Sequence, residues 1–139
     1  MIRFSVNEGD FIVSCSGTIG KIFQIPSLFE KGIINQALLK ITLNTAMINN
    51  TYFYKYFEWD EFQKKITDST QGGAIKNLVG MDVIKKTTFA IPPLSEQQQI
   101  ALILSSIDER IDLFKSEKED FVQVKKGLME KLLTGKIRV

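Results

Sequence analysis

The sequence holds no histidine and a single cysteine, Cys15, among its 139 residues. Without histidine there are no imidazole metal ligands, no Ser-His-Asp or Cys-His nucleophile system, and no side chain of the commonest general-base type. One cysteine excludes an intrachain disulfide framework. Carboxylates are scattered, whereas a two-metal nuclease needs them clustered. Asp108, Asp112 and Glu119 read as solvated positions on a helix. No G-x-G-x-x-G follows a strand pattern and no P-loop is present. Pro92-Pro93 lacks the preceding Asn or Asp and the following aromatic residue that an adenine-gripping Pro-Pro motif needs. The expectation is a non-catalytic chain with no cofactor and no metal.

Two loops hold residue types that could contact nucleic acid. Ser14-Cys15-Ser16-Gly17-Thr18-Ile19-Gly20-Lys21 offers hydroxyls, glycines that permit close backbone approach, and a lysine for phosphate. Ser16, Thr18 and Lys21 are its candidate DNA contacts, and an ordinary hairpin turn is the plain alternative. A second candidate is Thr70-Gln71-Gly72-Gly73-Ala74-Ile75-Lys76-Asn77. There Gln71 and Asn77 have the amides that pair bidentately with adenine, and Lys76 can reach phosphate or guanine. The alternative is a linker after a helix. Lys64-Lys65 and Lys85-Lys86 read as solvated surface, and Tyr52, Phe53, Tyr54, Tyr56, Phe57, Trp59 and Phe62 as packing material rather than a base-stacking platform.

Composition and charge frame these loops. Hydrophobic residues make up 44% and charged residues 24%, the mix of a globular chain. The apolar runs are too short for a membrane span, and no signal-peptide pattern opens the sequence. A cytoplasmic protein with no membrane partner is expected. The net charge of +2 is borne entirely by residues 1–93, while residues 94–139 balance. Any electropositive face must therefore come from local clustering in the first part.

Periodicity divides the chain at Pro92-Pro93, where neither a helix nor a central strand can continue. Residues 1–93 read as a small mixed α/β domain. Strand patterns run from Asp10 to Cys15, Gly20 to Ile25, Ala37 to Leu43 and Thr88 to Ile91, with a short turn or helix around 81–85. A helix is expected from Ala46 to Asp68, with Ile48, Tyr52, Tyr56, Trp59 and Ile66 on one buried face. Residues 94–139 read as one long helix, with Ser95 as N-cap, Gln98 closing a capping box, and Gly135 as the stop. The fold class expected is α+β, a small mixed domain followed by one long coiled-coil helix.

That helix carries a heptad seam. Ile100, Ile107, Phe114, Phe121 and Leu128 recur every seven residues, and Leu104, Ile111, Lys118, Lys125 and Leu132 follow four residues after each. The seam outlasts the surface one small domain could offer, so it predicts helix pairing over much of its length. A helix lying on its own domain is the alternative. Lys118 and Lys125 cost stability at seam positions but select register and partner.

Four stretches together resemble the DNA-specificity subunits of type I restriction-modification systems. They are Gly9-Asp10-Phe11-Ile12-Val13-Ser14 with Ser16-Gly17-Thr18-Ile19-Gly20-Lys21; Asn35-Gln36-Ala37; Ile91-Pro92-Pro93-Leu94-Ser95-Glu96-Gln97-Gln98-Gln99-Ile100; and Lys126-Gly127-Leu128-Met129-Glu130-Lys131-Leu132-Leu133-Thr134-Gly135-Lys136. The resemblance implies a partial target-recognition domain over 1–93 and a conserved-region helix over 94–139, as in the C-terminal part of a subunit. It further implies recognition of half of a split double-stranded DNA target and docking of adenine-methyltransferase modification subunits. Restriction subunits would join through those subunits, and two long helices would pair antiparallel, here as a homodimer. An interaction-only module that dimerises or binds subunits without reading DNA is the alternative. Cys15 departs from the family pattern, which often has a basic residue nearby.

Overall fold

A computed structural model describes residues 5–16, 18–30, 32–35, 37–68 and 82–138. Gln71, Lys76 and Asn77, with Gly17 and Gln36, lie outside the described residues. The chain divides into two compact units, Met1–Ala101 and Leu102–Val139.

The first unit is built on a three-stranded antiparallel sheet of β1 (Phe11–Ser14), β2 (Ile22–Gln24) and β3 (Leu38–Ile41), in the order β2-β1-β3. Val13 stands opposite Ile22 on one side and Leu39 on the other. Strand alternation sends Phe11 and Val13 to the same face, where both are fully buried. The β1–β2 ladder extends past the strands, since Gly9 N–H donates to Ile25 O at 3.0 Å and Ile25 N–H to Asp10 O at 2.8 Å.

Asp10 explains why an acid follows Gly9. Its side chain is buried, yet it accepts from Asn7 N–H at 2.8 Å and from Thr42 Oγ1 at 2.6 Å, with Lys40 Nζ at 3.8 Å. A carboxylate so supplied with donors fixes the chain before β1 to the end of β3. Gly9 itself has φ of 79°, a conformation glycine takes without strain.

The helix expected over 46–68 is two helices. Residues 44–48 form a turn, with Met47 and Ile48 N–H both donating to Asn44 O. Helix α1 (Asn50–Glu58) then starts under Asn49, whose side chain accepts from Tyr52 N–H at 2.9 Å. Trp59 is extended, at φ −61° and ψ 128°, and α2 (Asp60–Asp68) begins beyond it. The break turns α2 so that Phe62 meets Phe57 at 5.4 Å between ring centroids, and Phe62 and Ile66 join Phe11, Val13, Phe53 and Phe57 in the core. The cost falls on Trp59, which is left half-exposed rather than on the buried face.

Nor do residues 88–91 form a strand. After a short helical stretch over 82–86 they carry no regular secondary structure. Tyrosine hydroxyls do the ladder's work: Tyr52 Oη donates to Ala90 O at 3.0 Å, and Tyr56 Oη accepts from Ala90 N–H at 3.4 Å. Phe89 packs at 5.6 Å from both Phe53 and Tyr56.

Helix α3 spans Leu94–Leu133, 40 residues. It begins one residue before the expected cap. Pro93 O accepts from Glu96 and Gln97 N–H at 2.9 and 3.1 Å, so proline opens the ladder and Ser95 sits inside the first turn. Proline suits this place because its fixed φ is helical and no N–H is missed there. At the other end Gly135 has φ of 72° and donates to Leu132 O, while Ile137 N–H reaches Lys131 O. The architecture is α+β, a small sheet with helices and one long C-terminal helix.

In the second unit the seam side chains are open to solvent. Ile107, Ile111, Phe114, Phe121, Leu128 and Leu132 are all exposed, Phe121 to 73%.

Candidate nucleic-acid interface

Ser16, Thr18 and Lys21 all lie in the connection between β1 and β2. Ser14 closes it. Its N–H donates to Lys21 O at 2.9 Å, its carbonyl accepts from Gly20 N–H at 2.8 Å, and its Oγ donates to Thr18 O and accepts from Lys21 N–H at 3.1 Å. With Ser14 spent inside the turn, the side chains of Thr18 and Lys21 are exposed and that of Ser16 is half-buried. Thr18 and Lys21 thus offer a hydroxyl and an ammonium to solvent, donors of the kind that suit phosphate oxygens.

Gly20 has φ of 86° and is buried against α2. Gln63 Nε2 donates to Gly20 O at 3.1 Å and to Phe57 O at 2.6 Å. The second bond satisfies a carbonyl left open where α1 ends. A Cβ on residue 20 would run into Gln63 Oε1. Around this bond lies an open cleft of about 420 Å³, lined by Thr18, Lys21, Ile22, Glu58 and Gln63. Gln63 is a residue that pattern reading passes over, because a lone glutamine in a Lys-rich amphipathic segment reads as surface. Glu58 pairs with Lys55 at 3.8 Å, which partly neutralises the carboxylate beside Lys21.

Cys15 is fully buried, with Sγ 3.7 Å from Val13 O, and burial pushes its thiol above the ordinary 9.0. The side chain of this position therefore faces the core and not a ligand. Lys64 is exposed and held by Glu61 at 3.2 Å. A second, apolar cleft of about 430 Å³ opens among Leu39, Ile41, Phe53, Phe57, Phe62 and Phe89. Its polar lining is Lys40, Thr42, Lys85 and Thr87, without a carboxylate. Among the described residues no three His, Cys, Asp or Glu side chains gather as metal ligands. No helix among them is long and apolar enough to cross a membrane.

The Gln97 side chain shows what the Pro-Pro-Leu-Ser-Glu-Gln stretch does. It is fully buried, donating through Nε2 to Met47 O at 3.0 Å and Pro92 O at 2.8 Å, and accepting at Oε1 from Asn49 N–H at 2.9 Å. All of its polar capacity but one lone pair is used in tying the start of α3 to the start of α1.

The turn, the Asp10 anchor and the Gln97 tie all fall within residues 3–122, which match the type I restriction modification DNA specificity domain, and the chain belongs to that family. Among its relatives, the type I restriction enzyme MjaVIII specificity subunit of Methanocaldococcus jannaschii is 33% identical over 131 residues, which are 93% of this chain and 29% of that protein. A protein of the same organism named for the MjaX specificity subunit is 31% identical over 134 residues, 96% of this chain and 30% of the other. A third, named for the specificity subunit S.HindORF215P of Haemophilus influenzae, is 31% identical over 106 residues, 73% of this chain and 24% of its own. The chain spans about a third or less of the length of these relatives.

Proposed function

We propose that the chain supplies the sequence specificity of a type I restriction-modification assembly, reading half of a split double-stranded DNA target. In this reading residues 1–93 serve as part of a target-recognition domain. Ser16, Thr18 and Lys21 contact the DNA from the β1–β2 turn, with Gln71, Lys76 and Asn77 as further contacts. Residues 94–139 space the recognition domains and carry the adenine-methyltransferase subunits, through which restriction subunits join. The chain itself performs no chemistry. Methyl transfer and cleavage belong to the partners, and the chain's contribution is to place them.

The observation that carries this reading is the extent of the family match, which runs over residues 3–122 and so takes in both the sheet and most of the long helix. The test is reconstitution with the cognate modification subunit, followed by adenine methylation of a target library. Methylation confined to one split sequence, and lost when this chain is omitted, is expected. Sequence-independent methylation would refute it.

A second reading is an interaction module that pairs through its helix and does not read DNA. It is favoured by the wide apolar surface of Phe121, Val122, Val124, Leu128, Met129 and Leu133, all about half-exposed or more. Gel-shift binding with and without the modification subunit separates the two readings.

A further inference from the structure

Glu58 stands where local physics disfavours it. It is the last residue of α1, and the partial negative charge at a helix C-terminus repels a carboxylate. Lys55, one turn back, offsets this only in part. Its Nζ lies 3.8 Å from Glu58 Oε2, beyond hydrogen-bond reach, and 5.4 Å from the centre of the Tyr54 ring. The Glu58 side chain is 46% exposed, and Lys55 is its one ion-pair partner among the described residues. The lone pairs of the carboxylate are therefore open to a ligand.

Glu58 also shares a cleft with the proposed DNA contacts of the β1–β2 turn. Thr18, Lys21 and Gln63 supply the other polar side chains of its lining. Gln63 Nε2 is spent on the Gly20 and Phe57 carbonyls, so the amide that fastens the turn also fastens the residue before Glu58. Trp59 N–H donates to Tyr56 O at 3.3 Å and holds the residue after it. Phosphate donors and a carboxylate are thus mounted on one frame, and Glu58 is the only side chain of the lining that accepts without donating.

Against a duplex that combination is selective. A carboxylate beside phosphates is repelled unless something on the DNA donates to it. In the major groove guanine presents O6 and N7, and thymine O4, all acceptors. The donors there are the exocyclic amines, N4 of cytosine and N6 of adenine. Adenine sets the acceptor N7 beside its amine, and a carboxylate has no proton to offer it. Cytosine presents its amine without such a neighbour.

We propose that Glu58 reads a cytosine, accepting a hydrogen bond from its N4 amine in the major groove while Thr18 and Lys21 hold the neighbouring backbone. This rests on the reading of the chain as a DNA-specificity component. It names one base of the half-target and the residue that selects it.

The experiment uses the complex reconstituted with the modification subunit and sequences the methylated members of a randomised target library. Binding to target and scrambled DNA is measured alongside by fluorescence anisotropy. Parent, Glu58→Gln, Glu58→Ala and a control, Glu61→Gln, are compared. Glu61 is an exposed acid of α2, paired with Lys64 and outside the cleft lining. Thermal melts matching the parent's show that the variants fold, as expected for exposed side chains. The parent should demand cytosine at one position of the half-target, by about tenfold or more over guanine and thymine. Glu58→Gln should move the preference at that position alone to adenine, because an amide both donates to N7 and accepts from N6. Glu58→Ala should accept all four bases there, and Glu61→Gln should leave the target unchanged. Glu58 variants that keep the parent's sequence at every position overturn the assignment, as does a change at a position where the parent does not select cytosine. A uniform gain in binding to both DNAs also overturns it, since that marks a carboxylate that only repels phosphate. A parent complex that methylates without sequence preference refutes the DNA-specificity reading itself, and this inference with it.

Discussion

The side-chain amide of Gln63 donates to the Gly20 carbonyl at 3.1 Å and, from the same nitrogen, to the Phe57 carbonyl at 2.6 Å. The turn that presents Thr18 and Lys21 is thereby fastened to the joint between α1 and α2. Such a turn is positioned by the core, which is what a phosphate contact needs if it is to fix the register of a domain on a duplex.

Gly20→Ala should destabilise the first unit by about 1–3 kcal/mol, since a residue at φ 86° gains a Cβ that meets Gln63 Oε1. Gln63→Ala should cost less, about 1–2 kcal/mol, as it leaves two carbonyls near solvent without a donor. Chemical denaturation of both variants, alone and combined, checks this. Because the two sites touch, their effects should be less than additive.

Gln97→Glu should be among the most damaging single-atom changes in the chain. A carboxylate can still accept from Asn49 N–H but cannot donate to Met47 O or Pro92 O, and it would be buried. A loss of about 3 kcal/mol or more is expected at neutral pH. The carboxyl introduced at position 97 would have its folded pKa raised above the unfolded value. Part of the loss should therefore return as pH falls towards and below the unfolded value and the group protonates in both states. Thermal melts at pH 4.5 and 7.5, compared with the parent, read this directly. Equal losses at both would contradict it.

The anchors differ in how far residue types reveal them. The seam of α3 is legible because it is periodic over several heptads, and Gly135 because only glycine takes its φ cheaply. The break at Trp59 is not, since it is the backbone choice of one residue with no proline or glycine to mark it. It is decided by what Phe62 and Ile66 gain in the core. Thr88 to Ile91 has strand composition but finds its partners in Tyr52 and Tyr56 hydroxyls rather than in a neighbouring strand. Gln97 and Gln63 escape notice because pattern reading places glutamine outside, and a buried amide becomes visible only when the carbonyls around it are known. Of the candidate contacts, Ser16, Thr18 and Lys21 lie in the β1–β2 connection, whereas Gln71, Lys76 and Asn77 lie outside the described residues.

Alkaline pH should weaken the first unit. Burial raises Cys15 above its ordinary 9.0 and Tyr52 above its ordinary 10.0, the latter helped by its neighbours Tyr56 and Glu96. Both groups are neutral when protonated, and a raised folded value means the unfolded chain gives up its proton first. Stability from these groups is thus full below pH 9 and declines as pH rises through 9 and then 10. Cys15→Ala should remove the first part of the decline, beginning near pH 9, while itself lowering stability at neutral pH. Urea midpoints between pH 7 and 11 test the sign. A rise in stability above pH 9 would exclude it.

Binding of DNA by a single copy should be weak, because the net charge is only +2 and one turn offers one lysine. Much of the affinity in protein–DNA complexes comes from phosphate neutralisation, with each contact adding roughly one unit to the salt slope. Affinity should therefore appear when two copies and the modification subunits act together, since joining sites raises effective concentration. In that assembly Lys21→Ala should lower the salt slope by about one unit per copy and weaken target and scrambled DNA alike. Thr18→Val, which removes a hydroxyl and keeps the shape, should cost about 1 kcal/mol on both DNAs without changing the slope. Gln71→Ala and Asn77→Ala should instead narrow the gap between target and scrambled DNA, because amides read base edges. The measurement is fluorescence anisotropy of the reconstituted complex on both DNAs from 50 to 300 mM salt. If the Lys21 variant keeps the parent's slope, the β1–β2 turn does not touch phosphate, and the contacts must be sought elsewhere in the chain.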